Sequence, residues 1–428
     1  MKKLYADSSD FEADLKELLK RGATTDATVL PLVEAIIDDV ARRGDEALFE
    51  YALRFDATSL DSRTVEVTSE EIDDACSSID PADLAVLQFA ADRVEDFHLR
   101  QRTEDWSYLD EDGTELGQLI RPLNRVGIYA PGGLAPYPST VLMAAIPARV
   151  AGVKDILLVT PAKEGYINPL ILAAARMAGV NRIYRVGGAQ AIAALAHGTE
   201  SIPAVDKIVG PGNIFVAVAK RLVFGIVGID MIAGPSEILI IADDSASPEY
   251  IAADLLSQAE HDERASSVLL TPDGDLADRV LGEVARQLAE LPRESIAAAS
   301  LERYGRVVVT RDLDEAVAIS NRFAPEHLEL MVAEPRELLG AIENASAIFL
   351  GQYTPEAVGD YVAGPNHILP TAGTARFSSP LGVYDFVKRS SLVSFTQRSL
   401  EKIGSFAAGF ADLEGLDAHA LSVTRRLK

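Results

Sequence analysis

The chain holds a single cysteine, Cys76, in the stretch Asp73-Asp74-Ala75-Cys76-Ser77-Ser78. One thiol closes no internal disulfide, and its neighbours carry no cation that would stabilise a thiolate. Thiol catalysis is not expected, and a reducing, cytoplasmic setting is. Cationic side chains are scarce too: 40 Lys and Arg stand against 65 Asp and Glu, a formal charge of −25. A field of that sign repels phosphate backbones and anionic lipid surfaces, so neither nucleic acid nor a membrane is expected as a partner. Acidic runs such as Glu70-Glu71-Ile72-Asp73-Asp74 read as solvated helix faces that keep the chain soluble. No stretch approaches the roughly 18 uninterrupted apolar residues of a membrane span. The opening Met1-Lys2-Lys3-Leu4-Tyr5-Ala6-Asp7 lacks the apolar segment of a secretory signal.

What is present is globular material in quantity. Hydrophobic residues fill 48% of 428 positions, too many for a disordered chain, and that length outgrows one compact core and asks for two lobes. Residues 1–105 read as helices with acidic faces, as in Leu30-Pro31-Leu32-Val33-Glu34-Ala35-Ile36-Ile37 and Leu84-Ala85-Val86-Leu87-Gln88-Phe89-Ala90. From Arg125, short β-rich runs alternate with Ala-rich helical stretches, the pattern of βα units on a parallel sheet. Strands are predicted at 126–129, 155–160, 182–186 and 207–209, then in a second series at 237–242, 267–271, 306–310 and 347–350. After Gly382 the chain reads as helical again. The expected fold is α/β, with two doubly wound, Rossmann-like parallel-sheet domains, an N-terminal helical layer and a C-terminal helical tail. The corresponding segments are 1–105, 106–236, 237–381 and 382–428, with a ligand cleft between the sheets.

Three small-residue loops follow predicted strands: Tyr129-Ala130-Pro131-Gly132-Gly133-Leu134-Ala135-Pro136-Tyr137-Pro138, Gly187-Gly188-Ala189-Gln190 and Gly210-Pro211-Gly212-Asn213. None is a Gly-x-Gly-x-x-Gly fingerprint or a Walker loop. Singly each is turn punctuation; together, at the carboxyl ends of parallel strands, they favour an extended ligand such as a dinucleotide. A second group of signals suits metal and proton chemistry. Gln258 and His261 stand three apart on one helix face, although a lone histidine at a helix end more often caps the helix. Pro325-Glu326-His327-Leu328-Glu329 sets an acid beside an imidazole at the mouth of a strand, which suits proton transfer, although strand alternation would as readily leave Glu326 in solvent. Asp360 and His367 fall in the glycine-bearing loop Gly359-Asp360-Tyr361-Val362-Ala363-Gly364-Pro365-Asn366-His367, and the tail adds Glu414 and His419. Of six histidines only His98 and His197 fall outside these clusters, a bias that points to one metal-assisted site.

With these motifs in order, the sequence resembles the histidinol dehydrogenase family along nearly its whole length. The resemblance rests on Val126-Gly127-Ile128-Tyr129-Ala130-Pro131-Gly132-Gly133, the two later glycine loops, and Asp230-Met231-Ile232-Ala233-Gly234-Pro235-Ser236-Glu237. It continues through the stretches around Gln258, Glu326 and Asp360, then Asn366-His367 and Tyr384-Asp385-Phe386. It implies a zinc-dependent, NAD-linked four-electron dehydrogenase that takes L-histidinol through histidinal to L-histidine, the last step of histidine biosynthesis. Gln258, His261, Asp360 and His419 would hold one zinc ion per site, which grips the substrate's imidazole and amine as an orienting template. His327 would take the alcohol proton, and Glu326 would activate water to hydrate the aldehyde. Ser236, His367 and Glu414 match substrate contacts beside Gln258, His261, Glu326, His327, Asp360 and His419, while Tyr129, Gln190 and Asn213 match NAD contacts. The family is a homodimer whose tail crosses to the partner, so Glu414 and His419 would serve the other subunit's site. One departure is the stretch 373–382, with small residues where the family often carries bulkier ones. The residues themselves leave two other readings: a zinc hydrolase in which Glu326 polarises water, and a two-lobed binding protein. The strand-end loops weigh against the first, and the missing export signal against the second.

Overall fold

Fourteen strands form among the described residues, which are 1–20, 29–132, 136–232 and 234–427 of the computed structural model. Gly133, Leu134 and Ala135 of the first loop, and Ala233 of the Asp230–Glu237 motif, lie outside them. In chain order the strands are β1 (Lys2–Tyr5), β2 (Trp106–Leu109), β3 (Glu115–Pro122), β4 (Arg125–Tyr129), β5 (Asp155–Val159), β6 (Arg182–Tyr184) and β7 (Lys207–Val209). There follow β8 (Gly228–Ile229), β9 (Glu237–Ala242), β10 (Ser266–Thr271), β11 (Arg306–Val309), β12 (His327–Met331), β13 (Ala347–Leu350) and β14 (Val387–Ser394). All eight predicted strands are among them, to within two residues at either end.

Five strands make a parallel sheet in the order β6-β5-β4-β7-β8, so the winding reverses between β4 and β7. Six make a second parallel sheet, β1-β11-β10-β9-β12-β13, with the same reversal between β9 and β12. Both halves are thus doubly wound, as the alternation of strands and helices implied. After Glu237 the central strand β9 runs apolar from Ile238 to Ala242, as in a strand covered on both faces, and all its residues are buried. The helix Pro248–Ala259 starts on a proline at its first turn and buries Ile251, Ala252, Leu255 and Leu256 against this sheet. Each larger aliphatic side chain so removed from water contributes about 1.5–3 kcal/mol. In the N-terminal layer Val33, Ile36, Ile37 and Val40 recur at helical spacing and pack onto the first sheet's core.

Strands β2, β3 and β8 are absent from the sequence reading, and two further elements contradict the segment they fall in. The first residues are not part of the helical layer: Lys2 to Tyr5 pair in parallel with Arg306 to Val309 at the edge of the second sheet. Four residues with one buried side chain, Leu4, are too short to show a period. Beyond Gly382 the chain does not turn helical at once, because β14 pairs antiparallel with β3, which pairs in turn with β2. No residue of β14 is buried, so it carries no apolar face to reveal it. The helices Gln397–Leu413 and Asp417–Thr424 then complete the tail, packed together through Ala408, Ala411 and Ala420.

Candidate active site

A cavity of about 580 Å³ takes its walls from opposite ends of the two sheets. The first sheet supplies Pro131 and Gly210 to Asn213, from loops at the carboxyl ends of β4 and β7 and so at its switch point. The second supplies Ser236, Glu326 and His327, at the amino ends of β9 and β12. Binding at the carboxyl ends therefore holds for the first sheet and fails for the second. The helix Pro248–Ala259 runs back along the second sheet and ends at that amino edge, which brings Gln258 and His261 to the cavity, and the helix Glu356–Tyr361 returns there after β13 with Asp360. Asp360 is thus helical rather than in a loop.

His327 is buried at the start of β12. Its Nδ1 lies 3.1 Å from the carbonyl oxygen of Glu237 and 3.6 Å from Glu356 Oε1. A carbonyl can only accept, so Nδ1 carries the proton and the lone pair of the neutral ring falls on Nε2. Nε2 is buried, lies 3.3 Å from Asp360 Oδ1 as a charge contact, and makes no hydrogen bond. Burial opposes a charge on this ring, but Glu356, Glu326 and Asp360 outweigh it and raise His327 well above the ordinary imidazole value.

Glu326 is not solvated: it is 6% exposed, and its Oε2 accepts the backbone N–H of Glu237 at 2.8 Å. It precedes the first residue of β12, so strand alternation does not separate it from His327. Burial lifts its carboxyl to about 8. Glu356, also buried, is lifted to about 7 for the same reason. Behind it Glu329 accepts the N–H of Glu356 at 2.9 Å. Burial raises Asp254 to about 6 and, together with the Asp254 charge, Glu329 well above the carboxylate range. Glu356, Glu329 and Asp254 did not stand out in the sequence, where they are three acids among 65. One signal was there: Glu329 follows His327 by two on a strand and so shares its face.

Asp360 is the exception among these acids. Burial opposes its ionisation, but the His327 imidazole, helped by His367 and His261, holds it below the usual carboxylate value. The amide of Gln258 is flanked by two acceptors, so its nitrogen turns to them, donating to Glu356 Oε1 at 3.1 Å and to the Glu237 carbonyl at 3.2 Å. Its oxygen, the atom a metal can use, is left on the other side. Gln258, His261 and Asp360 line one cavity, and His327, Glu356 and Asp360 offer donor atoms all within 4.8 Å of one another. An ionised carboxylate, an imidazole and an amide oxygen, ringed by further buried acids, are a donor set that fits a divalent cation such as zinc. His367 sits at the rim, with Nδ1 2.8 Å from the Asp360 carbonyl oxygen and Nε2 3.5 Å from Thr140 Oγ1.

The remaining expected residues lie elsewhere. Asn213 lines the cavity, with Oδ1 accepting the N–H groups of Phe215 and Val216 at the start of the helix Ile214–Val223. Its loop is clamped by the buried Lys220–Asp230 ion pair, from which Lys220 donates to the Gly210 carbonyl at 2.9 Å and Asp230 accepts the Gly210 N–H at 2.7 Å. Gly210 has φ +112°, and a Cβ there would meet the Tyr129 carbonyl oxygen, so the turn needs glycine. Tyr129 and Gln190 are buried outside the cavity wall, and the Tyr129 hydroxyl accepts the Gly188 N–H at 3.1 Å. Glu414 and His419 are exposed on the tail and take no part in the cavity of their own chain.

Comparison with known proteins identifies the family. A profile of the family described as histidinol dehydrogenase matches residues 19–427. The histidinol dehydrogenase of Syntrophotalea carbinolica is 56% identical over 428 residues, 100% of this chain and 99% of that protein. That of Geobacter sulfurreducens is 57% identical over 421 residues, 98% of each. The crystal structure of histidinol dehydrogenase from Elizabethkingia anophelis superposes with a TM-score of 0.95 at 38% identity, covering 100% of this chain and 98% of that one.

Proposed function

Since the chain belongs to the histidinol dehydrogenase family, we propose that its cavity oxidises L-histidinol to L-histidine through histidinal in two NAD-linked steps. The observation that carries the two-step reading is a pair of buried bases side by side: His327, whose Nε2 makes no hydrogen bond, and Glu326, lifted by burial to about 8. A base serves best when its pKa lies near the working pH, which Glu326 meets; His327 is raised by the surrounding carboxylates, and a cation held by Asp360 would bring it back down. In the first step His327 Nε2 takes the hydroxyl proton as the carbon gives up a hydride. In the second, Glu326 takes a proton from water as its oxygen adds to the aldehyde carbon, and the hydrate gives up a second hydride from that carbon. NAD supplies the hydride acceptor in both steps. In this reading 106–236 is the NAD side and 237–381 the acid–base side.

Gln258, His261 and Asp360 would hold zinc, with His419 of a second copy of the chain as the fourth ligand. Bound zinc supplies an orienting charge that grips the substrate's imidazole and amine. Ser236 and His367 line the cavity where they can meet those groups. Asn213 keeps its amide nitrogen available to NAD, while Tyr129 and Gln190 would act through the Gly187-Gly188 turn to which Tyr129 is bonded. A homodimer with exchanged tails is supported by the tail itself. Ile403, Phe406, Phe410 and Leu413 form one exposed apolar row on the helix Gln397–Leu413, and Leu413 is 86% exposed, a row that water disfavours. Glu414 and His419 follow that row directly. Among the described residues no helix is long and apolar enough to cross a membrane.

Purified protein given L-histidinol and NAD should form two NADH for each histidine. One NADH per histidine, or full activity after complete zinc removal, would sink this reading.

A further inference from the structure

Glu356 is a buried acid for which two-base oxidation has no task. It opens the helix Glu356–Tyr361, where Glu329 holds its backbone N–H, and the residue is 3% exposed. One oxygen, Oε1, faces two working groups at once: it lies 3.6 Å from His327 Nδ1 and 3.1 Å from the amide nitrogen of Gln258. That amide nitrogen also meets the Glu237 carbonyl at 3.2 Å, the same carbonyl that lies 3.1 Å from His327 Nδ1. The carbonyl accepts from both the imidazole and the amide, while the carboxylate accepts from the amide and stands beside Nδ1 as a charge, 3.6 Å away and without a hydrogen bond. Acceptors there select donors: a ring protonated at Nδ1 and an amide with its nitrogen inward. The lone pair of Nε2 and the amide oxygen then fall on the outward sides. One turn along the same helix Asp360 stands 3.3 Å from Nε2, so residues i and i+4 bracket the ring.

We propose that Glu356 is a positioning residue whose carboxylate sets the tautomer of His327 and the amide orientation of Gln258 together. The assignment rests on the reading of the cavity as a zinc-holding site that oxidises histidinol. Groups that orient a metal ligand from behind typically change metal affinity or activity by about 10–100-fold when removed.

The test uses the full-length chain with Glu356→Gln and Glu356→Ala. Zinc affinity is measured by competition with a chelator, independently of turnover, and kcat and KM are measured with histidinol and NAD. Glutamine keeps an acceptor for Gln258 but loses the charge beside Nδ1. Its zinc affinity should stay within about twofold while kcat falls about tenfold or more at nearly unchanged KM. Alanine removes both contacts, so zinc affinity should also fall by about 10–100-fold, and excess zinc should restore occupancy without restoring kcat. An Glu356→Gln variant with the parent's kcat, or one that loses as much zinc affinity as Glu356→Ala, would overturn the assignment. If Glu356→Ala does not fold, the two readings on Glu356→Gln decide alone. Loss of the histidinol reading is recognised separately, because the unaltered chain would then fail to oxidise histidinol while the ranking of zinc affinities still judged the Gln258 contact.

Discussion

Replacing Glu326 with glutamine should stop the aldehyde half of the reaction and leave the alcohol half running. The amide has nearly the carboxylate's shape, and its oxygen can still accept the Glu237 N–H that Glu326 now holds at 2.8 Å, so the fold and the neighbouring His327 are retained. What is lost is the proton acceptor for water, and a general base contributes about 10²–10⁴-fold. Oxidation of histidinal with NAD should fall by about that factor, whereas its reduction to histidinol with NADH, which needs only His327, should stay within a few fold. Equal loss in both directions would reject the division of labour. The pH dependence has a definite sign. Glu326 acts as the carboxylate, and burial keeps it protonated until about pH 8, so aldehyde oxidation should rise with pH through that region. A bound cation favours the ionised form and moves the limb to lower pH, and in the glutamine variant the limb should vanish.

The same residues mark how far the sequence alone could go. Strands buried on both faces announce themselves as apolar runs, and Glu237–Ala242 was read to the residue. β1 is a four-residue edge, β8 has two residues, and β2, β3 and β14 bury no side chain, so none of them shows a period in the sequence. The Gln258 and His261 pair was legible as two residues on one helix face, but their place at the amino end of the second sheet depends on the direction in which the helix returns. Asp360 was misplaced in a loop on the strength of Gly359. That glycine has another cause: a Cβ there would overlap the Phe349 ring, so it permits close packing of a short helix against β13. Glu356, Glu329 and Asp254 were hidden for a different reason. In a chain of net charge −25 nothing in spacing separates a buried acid from a solvated one, and only the parallel sheet and the helix returning to its amino edge gather them behind His327.

Burial of so many acids around one imidazole also constrains the chemistry. Glu326, Glu356 and Glu329 are all raised by burial, while Asp360 is lowered because it lies against His327. Groups in one pocket whose environments push their pKa values apart are suited to different tasks. Asp360 remains an anion available to a cation, and Glu326 exchanges a proton near neutral pH. In the proposed reading the cavity divides ligand and base among residues of the same chemical type by contact alone.

Mixing two inactive variants should recover activity if the tail completes a neighbour's site. His419→Ala removes a zinc ligand that each tail would lend to its partner, and Glu326→Ala removes a base that each chain keeps for itself. Either homodimer has both sites damaged. A hybrid has one site carrying both lesions and one site carrying neither. Random reassociation makes half of the dimers hybrid, and each has half of its sites intact, so recovery should approach about a quarter of the unaltered activity. If His419 instead served its own chain, every site in the hybrid would keep one lesion and mixing would restore nothing. The structure favours the first outcome on physical grounds, because His419 is exposed and absent from the cavity of its own chain. The apolar row ending at Leu413, just ahead of Glu414 and His419, gives the tail a surface that burial against a second copy would stabilise. Dilution that separates the copies should therefore remove activity along with the dimer, and in parallel with it if the sites are shared.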